Sequence, residues 1–204
     1  MLLTLYDLVS VAEQFKPEGQ ILNIQEYGNG NVNDTYLITL DSPAEKHFIL
    51  QRINTQVFSR PELVMGNMRA FTEHVHRRLQ RTPLRAGRRW ASPRVLLTQT
   101  AQDHWRDADG RFWRAISFIG DSQTFDTVQD LRHAREVGYA LGTFHSLISD
   151  LPTESLADTL EGFHITPGYL RHYDEVLAQN DARPSPEVAY GLQFVQQRRA
   201  WAGV

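Results

Sequence analysis

A chain of 204 residues with 41% apolar and 22% charged residues has the composition of an ordinary soluble globular protein, long enough for one substantial core or two small ones. Its formal net charge of −3 gives no global attraction to nucleic acid or to an anionic membrane. It contains no cysteine, which excludes disulfides, thiolate metal sites and a cysteine nucleophile, and which fits a reducing cytoplasm.

The opening segment "MLLTLYDLVSVAEQF" places Leu5, Leu8, Val9, Ala12 and Phe15 at helical spacing and carries Asp7 and Glu13 with no basic stretch before them. It predicts one amphipathic helix rather than a signal peptide. No apolar run approaches the roughly 20 residues of a membrane span, so a cytoplasmic protein is expected. "ILNIQEY" and "TYLITL" predict two strands, and "HFILQRI" (His47 to Ile53) a third. Ser59 and Glu62 then have the spacing of a capping box, with Pro61 in the first helical turn. Val64, Met68, Phe71, Val75 and Leu79 form an apolar stripe along the helix that follows.

The basic stretch "HRRLQRTPLRAGRRW" reads as the end of that helix and a solvated loop. "RVLLTQT", the turn "DADG" (Asp107 to Gly110) and "RFWRAISFI" predict a second hairpin. The order helix, three strands, helix, two strands suits a small antiparallel sheet with a helix across one face. Only helical patterns follow. Leu131, Ala134, Gly138, Leu141, His145 and Ile148 keep a period near 3.6 up to Pro152, and "TPGYLRHYDEVLAQ" and "SPEVAYGLQFVQQRRAW" predict two more helices. The fold class is therefore α+β, and the change of pattern between Gly120 and Phe125 divides the chain into regions 1–120 and 121–204.

The stretch with most chemical content is "EYGNGNVNDTYLITL", where Gly28, Asn29, Gly30, Asn31, Asn33 and Asp34 come almost in a row. A tight hairpin needs far fewer such residues. Glycines permit positive φ and close backbone approach, so successive N–H groups can point at an anion. The turn joins two strands rather than a strand and a helix, which argues against a dinucleotide-binding fold and a P-loop. It matches the lid over nucleotide phosphates in kinase-like folds, where the third strand carries a cation and the next helix an acid. Arg52 is the candidate cation. Glu73 and Glu62 are the candidate acids: Glu73 lies nearly opposite the apolar stripe of its helix, and Glu62 already belongs to the cap.

"YGNGNVNDTY", "FILQRIN", "FSRPELVMGNMRAFTEHV" and "GYALGTFHSLISDLP…FHITP" together resemble the phosphotransferase enzyme family of aminoglycoside, choline and homoserine kinases, and within it the N-acetylhexosamine 1-kinase branch. The resemblance runs over essentially the whole chain. It implies a protein-kinase-like bilobal fold, with an ATP-binding lobe over 1–120 and the first helices of a helical lobe over 121–204. It also implies ATP with Mg²⁺ and phosphoryl transfer to a sugar hydroxyl. By position, Gly28, Asn29, Gly30 and Asn31 would cover the phosphates, Arg52 paired with Glu73 or Glu62 would hold them, and Ser117, Phe118 and Ile119 of "ISFIG" would line the adenine. Asn31, Asn33 and Asp34 sit where that branch would also touch the sugar.

Kinase chemistry further needs a loop Asp, a nearby Asn and a second Asp for the metal. The lookalike beginning His172-Tyr173-Asp174 carries its asparagine, Asn180, one residue too late and lies in a helical pattern, and no aspartate follows Asp181. The chain is thus expected to be the front of a sugar kinase, without Mg²⁺ ligands and without turnover by itself. The alternative is a truncated pseudokinase that binds a nucleotide or a partner. Exposed apolar positions on the Leu131–Ile148 helix predict self-association. The histidines show no metal-ligand spacing, and no Gly-x-Ser-x-Gly nucleophile motif is present.

Overall fold

The computed structural model describes residues 4–15, 19–84, 87–180 and 184–203. They form two compact units, one reaching Thr159 and the other starting at Leu160. In the first unit, helix α1 (Leu5–Glu13) begins at Thr4. The Thr4 hydroxyl accepts the Asp7 N–H at 3.2 Å and the Asp7 carboxylate accepts the Thr4 N–H at 2.9 Å. This reciprocal cap satisfies two donors that a helix start leaves without partners. Leu8, Val11, Ala12 and Phe15 are buried, whereas Leu5 is exposed and Val9 half-buried. The buried stripe therefore runs through Val11, one position round from the predicted one.

Strands β1 (Ile21–Glu26), β2 (Asp34–Leu40), β3 (His47–Ile53), β4 (Val95–Leu96), β5 (Trp105–Arg106) and β6 (Phe112–Ser117) form one sheet in the order β1-β2-β3-β6-β4, with β5 also paired to β6. Every pairing is antiparallel. The second hairpin differs from its expectation. The strand returning across the Asp107–Gly110 turn is Trp105–Arg106, while Val95–Leu96 pairs further along β6. Asp107 fixes that turn: one carboxylate oxygen accepts the N–H groups of Asp109 and Arg111, and the other the indole N–H of Trp113 at 2.8 Å.

Side chains alternate between the faces of a sheet, and here both faces are covered. Tyr36, Ile38, Phe48, Leu50, Trp113 and Ala115 pack with α1 in the main core. Ile53 and Phe112 pack on the other face with Met65 of helix α2 (Pro61–Arg81). The helix expected across one face is α2, and α1 closes the second face. The predicted capping box is also absent. Arg60 is the N-cap of α2, without a side-chain bond, and Pro61 alone prepares the first turn. Pro61, Met65 and Val75 are the buried members of α2, and Val64, Met68, Phe71 and Leu79 are half-buried.

Helix α3 (Leu131–Ile148) is capped by Asp130, which accepts the His133 N–H at 2.7 Å. It meets α2 through Phe144, whose ring lies 5.9 Å from that of Phe71 and 6.4 Å from that of Trp90. His74 and Arg78 of α2 both reach Asp150 just beyond its end. Leu131 and Leu141 stay exposed, and Leu147 is the buried residue of the helix. The second unit contains α4 (Thr166–Ala178), α5 (Pro186–Arg198) and a short 3₁₀ turn over Arg199–Gly203. Asp174 of α4 is tied to Arg199, with one bond at 2.9 Å. Among the described residues no helix is long and apolar enough to cross a membrane.

Candidate functional site

The connection from β1 to β2 spans residues 27–33, closed at its base by the Tyr27 N–H donating to the Thr35 carbonyl at 2.9 Å. Gly28 has a φ of +83°, a conformation that side chains disfavour. A Cβ at Gly28 or Gly30 would meet open space within 4 Å, so the turn's backbone is approachable from outside. Asn29 and Asn31 are exposed. Asn33 is engaged internally, its side-chain carbonyl accepting the Asn54 N–H at 3.0 Å. A cavity of about 150 Å³ lies against the turn, lined by Glu26, Tyr27, Gly28, Gly30, Asn33 and Asp34 among others.

The turn meets the segment after β6. The Tyr27 and Phe118 rings lie 5.8 Å apart, edge to face, and Phe118 also meets His47 at 5.6 Å. Ser117 is buried: its hydroxyl accepts the Arg94 N–H and its own N–H donates to the Arg94 carbonyl, both at 2.9 Å. The Ile119 carbonyl accepts the Ser122 hydroxyl. Phe118 and the glycine turn, far apart in sequence, are thus brought together through the Tyr27 ring.

The predicted ion pair across this site does not form. Phe48 and Leu50 point into the α1 core, so strand alternation sends Arg52 to that same face, away from α2. There Arg52 pairs with Asp34 across β2 and β3. Burial and the nearby Asp34 charge together push the Tyr36 hydroxyl above its ordinary pKa. A cavity of about 320 Å³ beside this pair is lined by Asp34, Arg52, Asn54 and Arg111 among others. Glu73 pairs with Arg69 on its own helix at 3.7 Å and is more than half exposed. Glu62 pairs with Arg106 of β5, whose hydrogen bond holds its carboxyl below the usual value. Neither acid meets Arg52.

Gln51 occupies the α2 face of β3 instead, and sequence reading passed it over. Its side-chain N–H donates to the Thr35 hydroxyl at 2.9 Å. Its Oε1 accepts two bonds from Arg114 of β6, from Nε at 2.9 Å and from Nη2 at 2.7 Å. Arg114 also directs Nη1 at the Met68 sulfur of α2, 3.5 Å away. Burial pushes the Arg114 guanidinium down from its ordinary pKa. The signal was present in "FWRAI": a lone charge inside an apolar strand requires a partner.

The histidine-bearing lookalike near Asp174 lies on helix α4, with Asp174 occupied by Arg199. Among the described residues no three His, Asp or Glu side chains converge in a way that could hold a metal ion. No described residue is assigned to a Mg²⁺ ion.

A twisted antiparallel sheet carrying a glycine turn between its first strands, with helices following in sequence, defines a kinase-like phosphotransferase fold. Residues 23–202 match the phosphotransferase enzyme family, and the chain belongs to that family. Its structure is similar to the crystal structure of an aminoglycoside phosphotransferase from Alicyclobacillus acidocaldarius, with a TM-score of 0.51 and 15% identity, covering 95% of this chain and 50% of the other. The chain therefore spans half the length of that solved protein, and at this identity the likeness concerns the fold.

Proposed function

We propose that this chain is the nucleotide-binding portion of an ATP-dependent small-molecule kinase. In this reading residues 1–120 serve as the ATP lobe and residues 121–204 begin the helical lobe. The observation that carries the reading is the packing of Tyr27, which opens the glycine turn, against Phe118, which follows β6. It brings amides suited to an anion next to an edge suited to a flat heterocycle. The acceptor is a sugar hydroxyl, of the N-acetylhexosamine type that the motifs around Gly28 to Tyr36 resemble, with the exposed Asn31 as one residue that would contact it.

Phosphoryl transfer relies on positioned carboxylates and a metal ion, and the described residues offer neither a His-x-Asp loop nor a metal cluster. In this reading the chain binds nucleotide without turning it over. The test combines a thermal shift with an assay. ATP is expected to raise the melting temperature, while ATP, Mg²⁺ and N-acetylhexosamines together give no sugar 1-phosphate above background. No shift at millimolar ATP overturns nucleotide binding, and sugar phosphate formation overturns the assigned inactivity.

A further inference from the structure

The unusual charge in the first unit is Arg114. It lies half-buried on the α2 face of the central strand β6, and among the described residues no carboxylate pairs with it. Its acceptors are neutral: the Gln51 amide oxygen, which takes two of its bonds, and the weakly accepting Met68 sulfur at 3.5 Å. A guanidinium has five N–H donors in a planar fork, so part of this fork has no oxygen to meet. Taking a cation out of water without an anion is costly, and such a group is a ready anion receptor.

Its surroundings say where the anion comes from. Arg114, Gln51 and Thr35 form a hydrogen-bonded row across β6, β3 and β2. Thr35 also closes the glycine turn through Tyr27. The row therefore runs from the base of that turn to the inner side of α2, on the sheet face that also carries Phe118. Arg52, the cation the sequence singled out, is on the opposite face and pairs with Asp34. The helix supplies Met68 where a competing acid would close the fork.

We propose that Arg114 is the residue that binds the polyphosphate of the nucleotide, with Gln51 orienting its guanidinium. This rests on the nucleotide-binding reading above and replaces Arg52 in it. A phosphate oxygen takes the place of the Met68 sulfur on Nη1, and the charge-assisted bond satisfies a group that the free protein leaves half-served.

The test measures binding of ATP, tripolyphosphate and adenosine to the 204-residue chain by calorimetry. Arg114→Gln is expected to weaken ATP and tripolyphosphate by about tenfold or more, the scale of one charge-assisted contact, and to leave adenosine unchanged. Arg52→Gln is expected to leave all three within about twofold, as for an exposed pair. Gln51→Glu guards against misfolding. It gives Arg114 a carboxylate, so it is expected to raise the melting temperature while weakening ATP binding. Wild-type affinity in both Arg114→Gln and Gln51→Glu, or a loss confined to Arg52→Gln, overturns the assignment while nucleotide binding stands. A wild-type chain that binds neither ATP nor adenosine overturns both readings.

Discussion

The two faces of the sheet are built on different terms. Toward α1 the central strands present Phe48, Leu50, Trp113 and Ala115, each 2% exposed or less. Toward α2 the sheet presents Ile53 and Phe112 at one end and Leu37, Ile49 and Ile116 at the other, with the polar row Thr35, Gln51 and Arg114 between them. Hydrophobic burial stabilises a fold wherever it occurs. A polar row inside a sheet–helix interface has to recover its desolvation through hydrogen bonds, and here a thioether is part of that recovery. The α1 face is the one that folding requires. The α2 face gives up some local consistency, as a site would under the proposal above.

The largest test of this contrast lies in stability. Trp113→Ala removes a fully buried indole and strands its Asp107 partner, and is expected to cost about 3–5 kcal/mol. Arg114→Met, on the neighbouring position of the same strand, is expected to change stability by about 1 kcal/mol or less. It loses the Gln51 bonds but also a desolvated charge, and the two effects nearly cancel. Urea unfolding of both variants decides the matter. Equal losses would mean that the two faces carry the fold alike.

The glycine turn sharpens the contrast at a smaller scale. Gly28, at a φ of +83°, is expected to lose about 1 kcal/mol when changed to alanine, because the backbone must hold a left-handed conformation. Gly30 has neither a positive φ nor a neighbour within 4 Å of an added Cβ, and Gly30→Ala is expected to stay within about 0.5 kcal/mol. If Gly30→Ala nevertheless weakens ATP binding, that glycine serves approach to the ligand rather than the turn.

Much of this was legible in the residues. Strand-like runs around "GNGNVND", and periods near 3.6 in the helices, located β1, β2, β3, α2 and α3 because each pattern is strong within its own segment. The face of β3 was not legible. "FILQRI" has apolar residues on both sides, since both faces of the strand are covered, so alternation alone could not separate Arg52 from Gln51. Their separation comes from the register with β6, which sets Gln51 opposite Arg114 and Arg52 opposite Trp113. That long-range fact has no local signature. The Ser59–Glu62 spacing misled for a related reason: Arg106, 44 residues away, competes for the Glu62 carboxylate and takes it. Thr4 and Asp7 have a comparable spacing, and there the Asp7 carboxylate turns back to the Thr4 N–H and the cap forms.

That competition supplies the smallest and most directional prediction. The Arg106 hydrogen bond, helped by a backbone N–H at the start of α2 and opposed by burial, holds the Glu62 carboxyl below its ordinary value of 4.5. A depressed acid pKa means that the folded state binds protons less readily than the unfolded chain, so folding is favoured once the group is ionised in both. The contribution is fully present above about pH 4.5 and disappears as pH falls through the lower folded value. Both side chains are about half exposed, so solvent screening keeps the whole effect at about 0–1 kcal/mol. Glu62→Gln is therefore expected to be slightly less stable than the wild type at pH 7 and to converge with it in acid. A gap between the two that persists or widens below pH 4 would mean that the carboxylate acts through helix capping or packing rather than through Arg106.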